Sequence, residues 1–233
     1  DNDVGNLKAS FVASHFRTAV YFAFGFFLSK LFLDKFVFHK IAIWLLSTAS
    51  SSPLKLNDAT RVKIVKYKES LWKLLYYAGC ELCVLEFIYP EPWFGDIKLY
   101  FDGWPNQELK SSLGLLYMCQ CGFYVYSVAA LLAWETRTKE FAVMMSHHII
   151  TIILIGSSYL VGFFRIGSII LAIHDASDVF MESAKIFKYS GKELGASFSE
   201  LLGYLDMTSV KGKVMYYAFN TMLLMLLVFH IYW

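Results

Sequence analysis

Two adjacent histidines, His147 and His148, and a second group, His174, Asp175, Asp178 and Glu182, are the residues of this 233-residue chain whose types and spacing suit chemistry. Both groups fall inside long apolar runs. If such a run spans a membrane, an ionisable side chain within it costs about 2.5–3.5 kcal/mol and is expected to face a bundle interior or a cavity. On a helix Asp175, Asp178 and Glu182 stand at i, i+3 and i+7, on one face, and His174 lies one turn from Asp178. An imidazole near a carboxylate can take up a proton or carry a group as a nucleophile. Metal chemistry fits less well. No His-Glu-x-x-His occurs, and the six histidines are too few for the histidine-rich clusters of membrane di-iron hydroxylases. Cys80-Glu81-Leu82-Cys83 has half of a zinc spacing with no matching pair in a water-exposed loop. The four cysteines, with Cys119 and Cys121, read as small apolar packing. The expectation is a His–Asp site without metal. Glu182 and Lys185, nearer the end of their run, read as a solvated i, i+3 pair, and Glu81 and Glu86 have no assignable partner.

The elements that must position these residues are set by composition. The chain is 57% hydrophobic and 18% aromatic, with only 17% charged residues and a formal net charge of +2, and its mean hydropathy is +0.49. Soluble domains run nearer 45–50% apolar and about 25% charged, so disorder is excluded and a water-soluble globule is improbable. Near-neutral charge argues against a nucleic-acid partner. Six spans of about 20 residues would take roughly half the chain. Apolar runs read as spans at 12–38, 69–89, 111–134, 141–164, 166–187 and 214–233. The first reads as an anchor, with Arg17, Lys30 and Asp34 near its ends, because no small-residue cleavage site follows it. The second carries Lys73, Glu81 and Glu86, whereas 111–134 has no charged residue. Loops fall at Ser47–Ser52 with Pro53, and at Pro90, Pro92 and Pro105. The expected architecture is all-α, a polytopic transmembrane helical bundle.

Loop charge orients it. Lys40, Lys55, Arg61, Lys63, Lys66 and Lys68 follow the first span, Arg137 and Lys139 the third, and Lys188, Lys192, Lys211 and Lys213 the fifth. The second loop has only Lys98 and Lys110 beside four acids, and the fourth only Arg165. Odd-numbered loops are therefore cytosolic and the N-terminus faces the opposite side. Entering from the cytosol, His147 lies about 9 Å below Phe141, while Asp178 and Asp175 lie about 14 and 18 Å from Phe187. Imidazoles and carboxylates are expected at similar depth in antiparallel neighbours.

The residues around these groups resemble the longevity-assurance motif of the ceramide synthases. The resemblance rests on Trp134-Glu135-Thr136-Arg137, on Ser146-His147-His148 followed by Thr151, and on His174-Asp175-Ala176-Ser177-Asp178-Val179-Phe180. Ser183-Ala184-Lys185-Ile186-Phe187-Lys188-Tyr189, Tyr89-Pro90-Glu91-Pro92-Trp93 and Lys68-Glu69-Ser70-Leu71-Trp72 extend it. They look like the plant form, without a homeobox-like insert. The resemblance covers nearly the whole chain. It implies a TLC domain over 66–233 preceded by an anchoring helix over 1–40, in the endoplasmic reticulum membrane. It also implies transfer of a fatty acyl group from acyl-CoA, a co-substrate, to a sphingoid base, with no other cofactor. Homo- or hetero-dimerisation is a family expectation. The family's catalytic histidines map onto His147 and His148, and its aspartates onto Asp175 and Asp178.

That assignment suits the chemistry. An unprotonated amine must attack the thioester, whereas a free sphingoid amine is mostly ammonium at neutral pH. One imidazole therefore takes a proton or carries the acyl group, and an Asp fixes its tautomer and stabilises imidazolium. His147 is expected to act, His148 to support it, and Asp175 or Asp178 to orient them. The basic cytosolic residues Arg61, Lys63, Lys66, Arg137 and Lys139 could attract coenzyme A, although topology alone explains them. One departure stands out. Family members carry another apolar helix between the equivalents of Ser199 and Glu200, which are adjacent here, leaving about six spans where the family has seven. A truncated, non-catalytic isoform that pairs with a full-length synthase is therefore the competing expectation.

Overall fold

The computed structural model describes residues 2–49, 57–104, 106–135 and 141–190. Among them the regular structure is helical throughout: α1 (Asn2–Leu33), a π-helical turn (Asp34–Phe38), α2 (His39–Ala49), α3 (Asp58–Phe87), the one-turn α4 (Ile97–Tyr100), α5 (Ser111–Ala133), α6 (Phe141–Val161) and α7 (Phe164–Ser190). The expected span at 214–233 and the Ser199–Glu200 junction lie outside the described residues.

Helices extend beyond the apolar runs. Lys40 sits in α2, and Arg61, Lys63, Lys66 and Lys68 sit in α3 rather than in a loop. The reason is length. Thirty residues of α3 rise about 45 Å, whereas the hydrocarbon core is about 30 Å thick, so a helix continues past the lipid and its apolar run marks only the immersed part. The start of α3 is set by a cap: the Asn57 side-chain oxygen accepts from the Thr60 N–H at 2.9 Å and from the Thr60 hydroxyl at 2.8 Å. Among the described residues two helices, α5 and residues Met144–Val161 of α6, are long and apolar enough to cross a membrane by length and composition. The other expected spans among the described residues carry the ionisable residues that lower their hydropathy.

The chain forms two compact units. The first takes, among described residues, 2–28, 83–135 and 141–171. Its centre is α5, where Tyr117, Gln120, Phe123 and Tyr124 are almost wholly buried. A Cβ at Gly122 would stand 2.5 Å from the Ala19 carbonyl oxygen and 2.7 Å from the Phe22 Cβ, so α1 crosses α5 in near backbone contact. Phe26 meets Phe123 edge-on at 5.4 Å. The α6–α7 connection is two residues, Gly162 and Phe163, whose N–H groups both donate to the Ser158 carbonyl, with Gly162 at φ 82°. Tyr117 reinforces this turn, its hydroxyl 3.2 Å from Ser158 Oγ and donating to the Phe164 carbonyl at 3.1 Å. The 88–110 loop covers it: Trp104 stacks on Phe163 and donates to the Val161 carbonyl, and Arg165 donates to the Leu99 carbonyl at 2.7 Å.

The second unit takes residues 29–49, 57–82 and 172–190. Ala42, Leu46, Ile64 and Tyr67 form its apolar cluster. Buried Lys30 pairs with Asp34 at 2.7 Å, and Asp34 also meets Lys68 at 3.2 Å, tying the π-helical turn to α3. The Tyr67 hydroxyl, early in α3, donates to the Ile186 carbonyl, late in α7. Further along α3 the Cys80 thiol bonds the Asp175 carboxyl. These two bonds set α3 antiparallel to α7.

Candidate active site

In the first unit α6 presents both adjacent histidines inward, with His147 and His148 buried together with Thr151 one turn on. Their rings stand 5.5 Å apart at 53°. Neighbouring residues on a helix point about 100° apart, so burial of both means that α6 is covered over a wide arc at this level. Part of that cover comes from α5, whose buried Tyr124 ring lies 5.7 Å from His148. The helix stays regular here: Thr151 Oγ1 donates to the His147 carbonyl at 2.9 Å and Ser146 Oγ to that of Ala142 at 2.8 Å. The histidine backbone is thus fixed by hydroxyls that return to their own helix.

In the second unit α7 gathers the other group. His174, Asp175 and Asp178 are all buried. His174 Nδ1 lies 3.3 Å from Asp178 Oδ2, one turn on, and 3.7 Å from Asp175 Oδ1. The Asp178 carboxylate beside Nδ1 favours a proton there, which leaves the lone pair of a neutral ring on Nε2, the arrangement by which an aspartate prepares a histidine for proton or group transfer. From α3, Cys80 bonds Asp175, and Glu81 lies within electrostatic range of it.

The structure places Asp175 and Asp178 beside His174 in the second unit, and His147 and His148 in the first. The spacing of His174 to Asp178 was visible in the sequence, although the site expected from sequence left His174 out. Tyr124 was not foreseen, since a tyrosine in an apolar run gives no signal of a histidine neighbour. Glu182 differs from expectation. It pairs with Lys185 at 2.8 Å, yet its side chain is 3% exposed against 37% for Lys185, so tertiary packing buries a carboxylate that its place near a helix end marked as solvated. Among the described residues no three or more His, Cys, Asp or Glu side chains converge as metal ligands do.

Long apolar helices that enclose imidazoles and carboxylates define a helical integral-membrane protein with polar chemistry inside its spans. Residues 66–205 match the TLC domain family. The chain is 66% identical to ceramide synthase LOH2 of Arabidopsis thaliana, over 97% of its own length and 86% of the relative's. It is 51% identical to ASC1-like protein 3 of Oryza sativa subsp. japonica, over 95% and 87%, and 30% identical to ceramide synthase 4 of Bos taurus, over 72% and 48%. The chain belongs to the TLC-domain family and, within it, to the plant-type ceramide synthases. The match to LOH2 runs over 254 aligned positions but takes in only 97% of the 233 residues of the chain, so about 28 positions of the relative face gaps here. That number is enough for one membrane span of about 20 residues.

Proposed function

We infer that this chain is an acyl-CoA-dependent N-acyltransferase that joins a fatty acyl chain to the amine of a sphingoid base, making ceramide or dihydroceramide. The observation that carries the reading is its 66% identity to a ceramide synthase along 97% of its length, with both histidines and the His174–Asp178 pair buried. His147 takes the amine proton or carries the acyl group, and His148 supports it. Asp175 and Asp178 hold imidazole in the productive tautomer and stabilise imidazolium. Residues 66–233 form the acyl-transferring domain and 1–40 its anchor. The enzyme works in the endoplasmic reticulum membrane, alone or paired with another synthase.

The gaps against LOH2 favour a second reading, an isoform short of one helix that modulates a full-length synthase. Lipid analysis of a host without ceramide synthase separates the two. Ceramide in cells expressing this chain alone supports the enzyme. Ceramide that changes only when a full-length synthase is co-expressed, and does so equally with His147→Ala/His148→Ala, supports the isoform and overturns the enzyme.

A further inference from the structure

Amide formation from an ammonium leaves a proton over. The ammonium nitrogen forms its bond to the acyl carbon as the carbon–sulfur bond breaks, and it gives up two protons. One goes to the departing coenzyme A thiolate, and the other has no acceptor among the products. In a site inside a membrane this second proton needs a way to water, and α7 carries a row of groups suited to it. His174 and Asp178 are paired at 3.3 Å. Glu182 follows one turn on, within electrostatic range of Asp178, and holds Lys185 through Oε1 at 2.8 Å. Its other oxygen, Oε2, is buried with no hydrogen-bond partner among the described residues. A carboxylate buried this deeply at 2% exposure, with one oxygen uncommitted, is costly unless it serves a purpose. From His174 to Lys185 the row climbs about 17 Å and ends at the one side chain among its members that is substantially exposed. From α3, Cys80 and Glu81 are placed against Asp175, and the Tyr67 hydroxyl donates to the Ile186 carbonyl beside Lys185.

We propose that Glu182 is a relay residue acting through Asp178: it passes the proton released by amide formation from the buried His174–Asp178 pair to the water around Lys185. The inference rests on the N-acyltransferase reading above. Glu182→Gln keeps the size of the side chain and removes the group that titrates. In membranes holding the full chain, kcat for ceramide formation is expected to fall about tenfold to a hundredfold, with KM for both substrates within about twofold of wild type. Added imidazole or formate is expected to restore the rate, and Glu182→Asp to retain part of it. A purely structural role would give a loss that small buffers do not relieve. That outcome, or a Glu182→Gln rate within about twofold of wild type, overturns the relay. Should Glu182→Gln fail to accumulate, Lys185→Met is read by the same buffer titration with the same criteria. A wild-type chain that forms no ceramide overturns the acyltransferase reading itself, and the relay with it.

Discussion

His174 Nδ1 lies at unequal distances from two carboxylates, 3.3 Å from Asp178 and 3.7 Å from Asp175, and only the first is within hydrogen-bond reach. The shorter contact is the stronger hold on Nδ1–H, whereas Asp175 shares itself with Cys80. Asp178→Asn offers the ring an amide that can donate to Nδ1 and favour the wrong tautomer. It is expected to lower kcat on the order of a hundredfold or more, and by more than Asp175→Asn does, while the protein still inserts; ceramide formation per inserted molecule measures both. Much of this site was legible in the sequence, because a His, two Asp and a Glu within nine residues of an apolar run are hard to place except inward. The role of Glu182 was not legible. Position along a helix says how near the membrane surface a residue lies, but its burial depends on what packs there.

The runs at 111–134, 141–164 and 166–187 correspond closely to α5, α6 and α7, because a span bounded by a Gly turn or a charge change announces its own ends. The continuation of α1 through a π-helical turn into α2 was masked by Asp34, Lys35, His39 and Lys40, which interrupt the apolar run, and the early start of α3 was hidden in polar sequence where hydropathy has no signal. The Asn57 cap was the available clue. Two helices approach in near backbone contact at Gly122, where only a hydrogen fits between α5 and α1. Gly122→Leu therefore separates the helices and costs about 2 kcal/mol. A lower Tm in detergent, with a loss of Phe26–Phe123 contact, is the expected result, and an unchanged Tm would show that α1 does not depend on this crossing.

At the level of the whole chain, lysine and arginine counts predict that the 88–110 loop lies on the side opposite the cytosol and that the α5–α6 connection faces the cytosol. The chain has no Asn-x-Ser/Thr acceptor of its own, so glycosylation reports cleanly. A Gly/Ser spacer bearing one acceptor should be glycosylated in microsomes when inserted after Gly103, at an exposed turn, and remain unmodified when inserted after Thr138; the reverse pattern would invert the topology. Family membership was readable from residues scattered along the sequence, since the double histidine and the His-Asp-x-x-Asp block state the chemistry directly. The effect on activity of the gaps against LOH2 was not, because it depends on how the helices close. The most direct measurement is ceramide formed by the purified full chain from sphinganine and acyl-CoA, with the product weighed by mass spectrometry against free coenzyme A thiol. The account predicts ceramide and thiol in equal amounts, and neither above background with His147→Ala/His148→Ala. Ceramide that persists without both histidines, or none from a stably inserted wild-type chain, would contradict it.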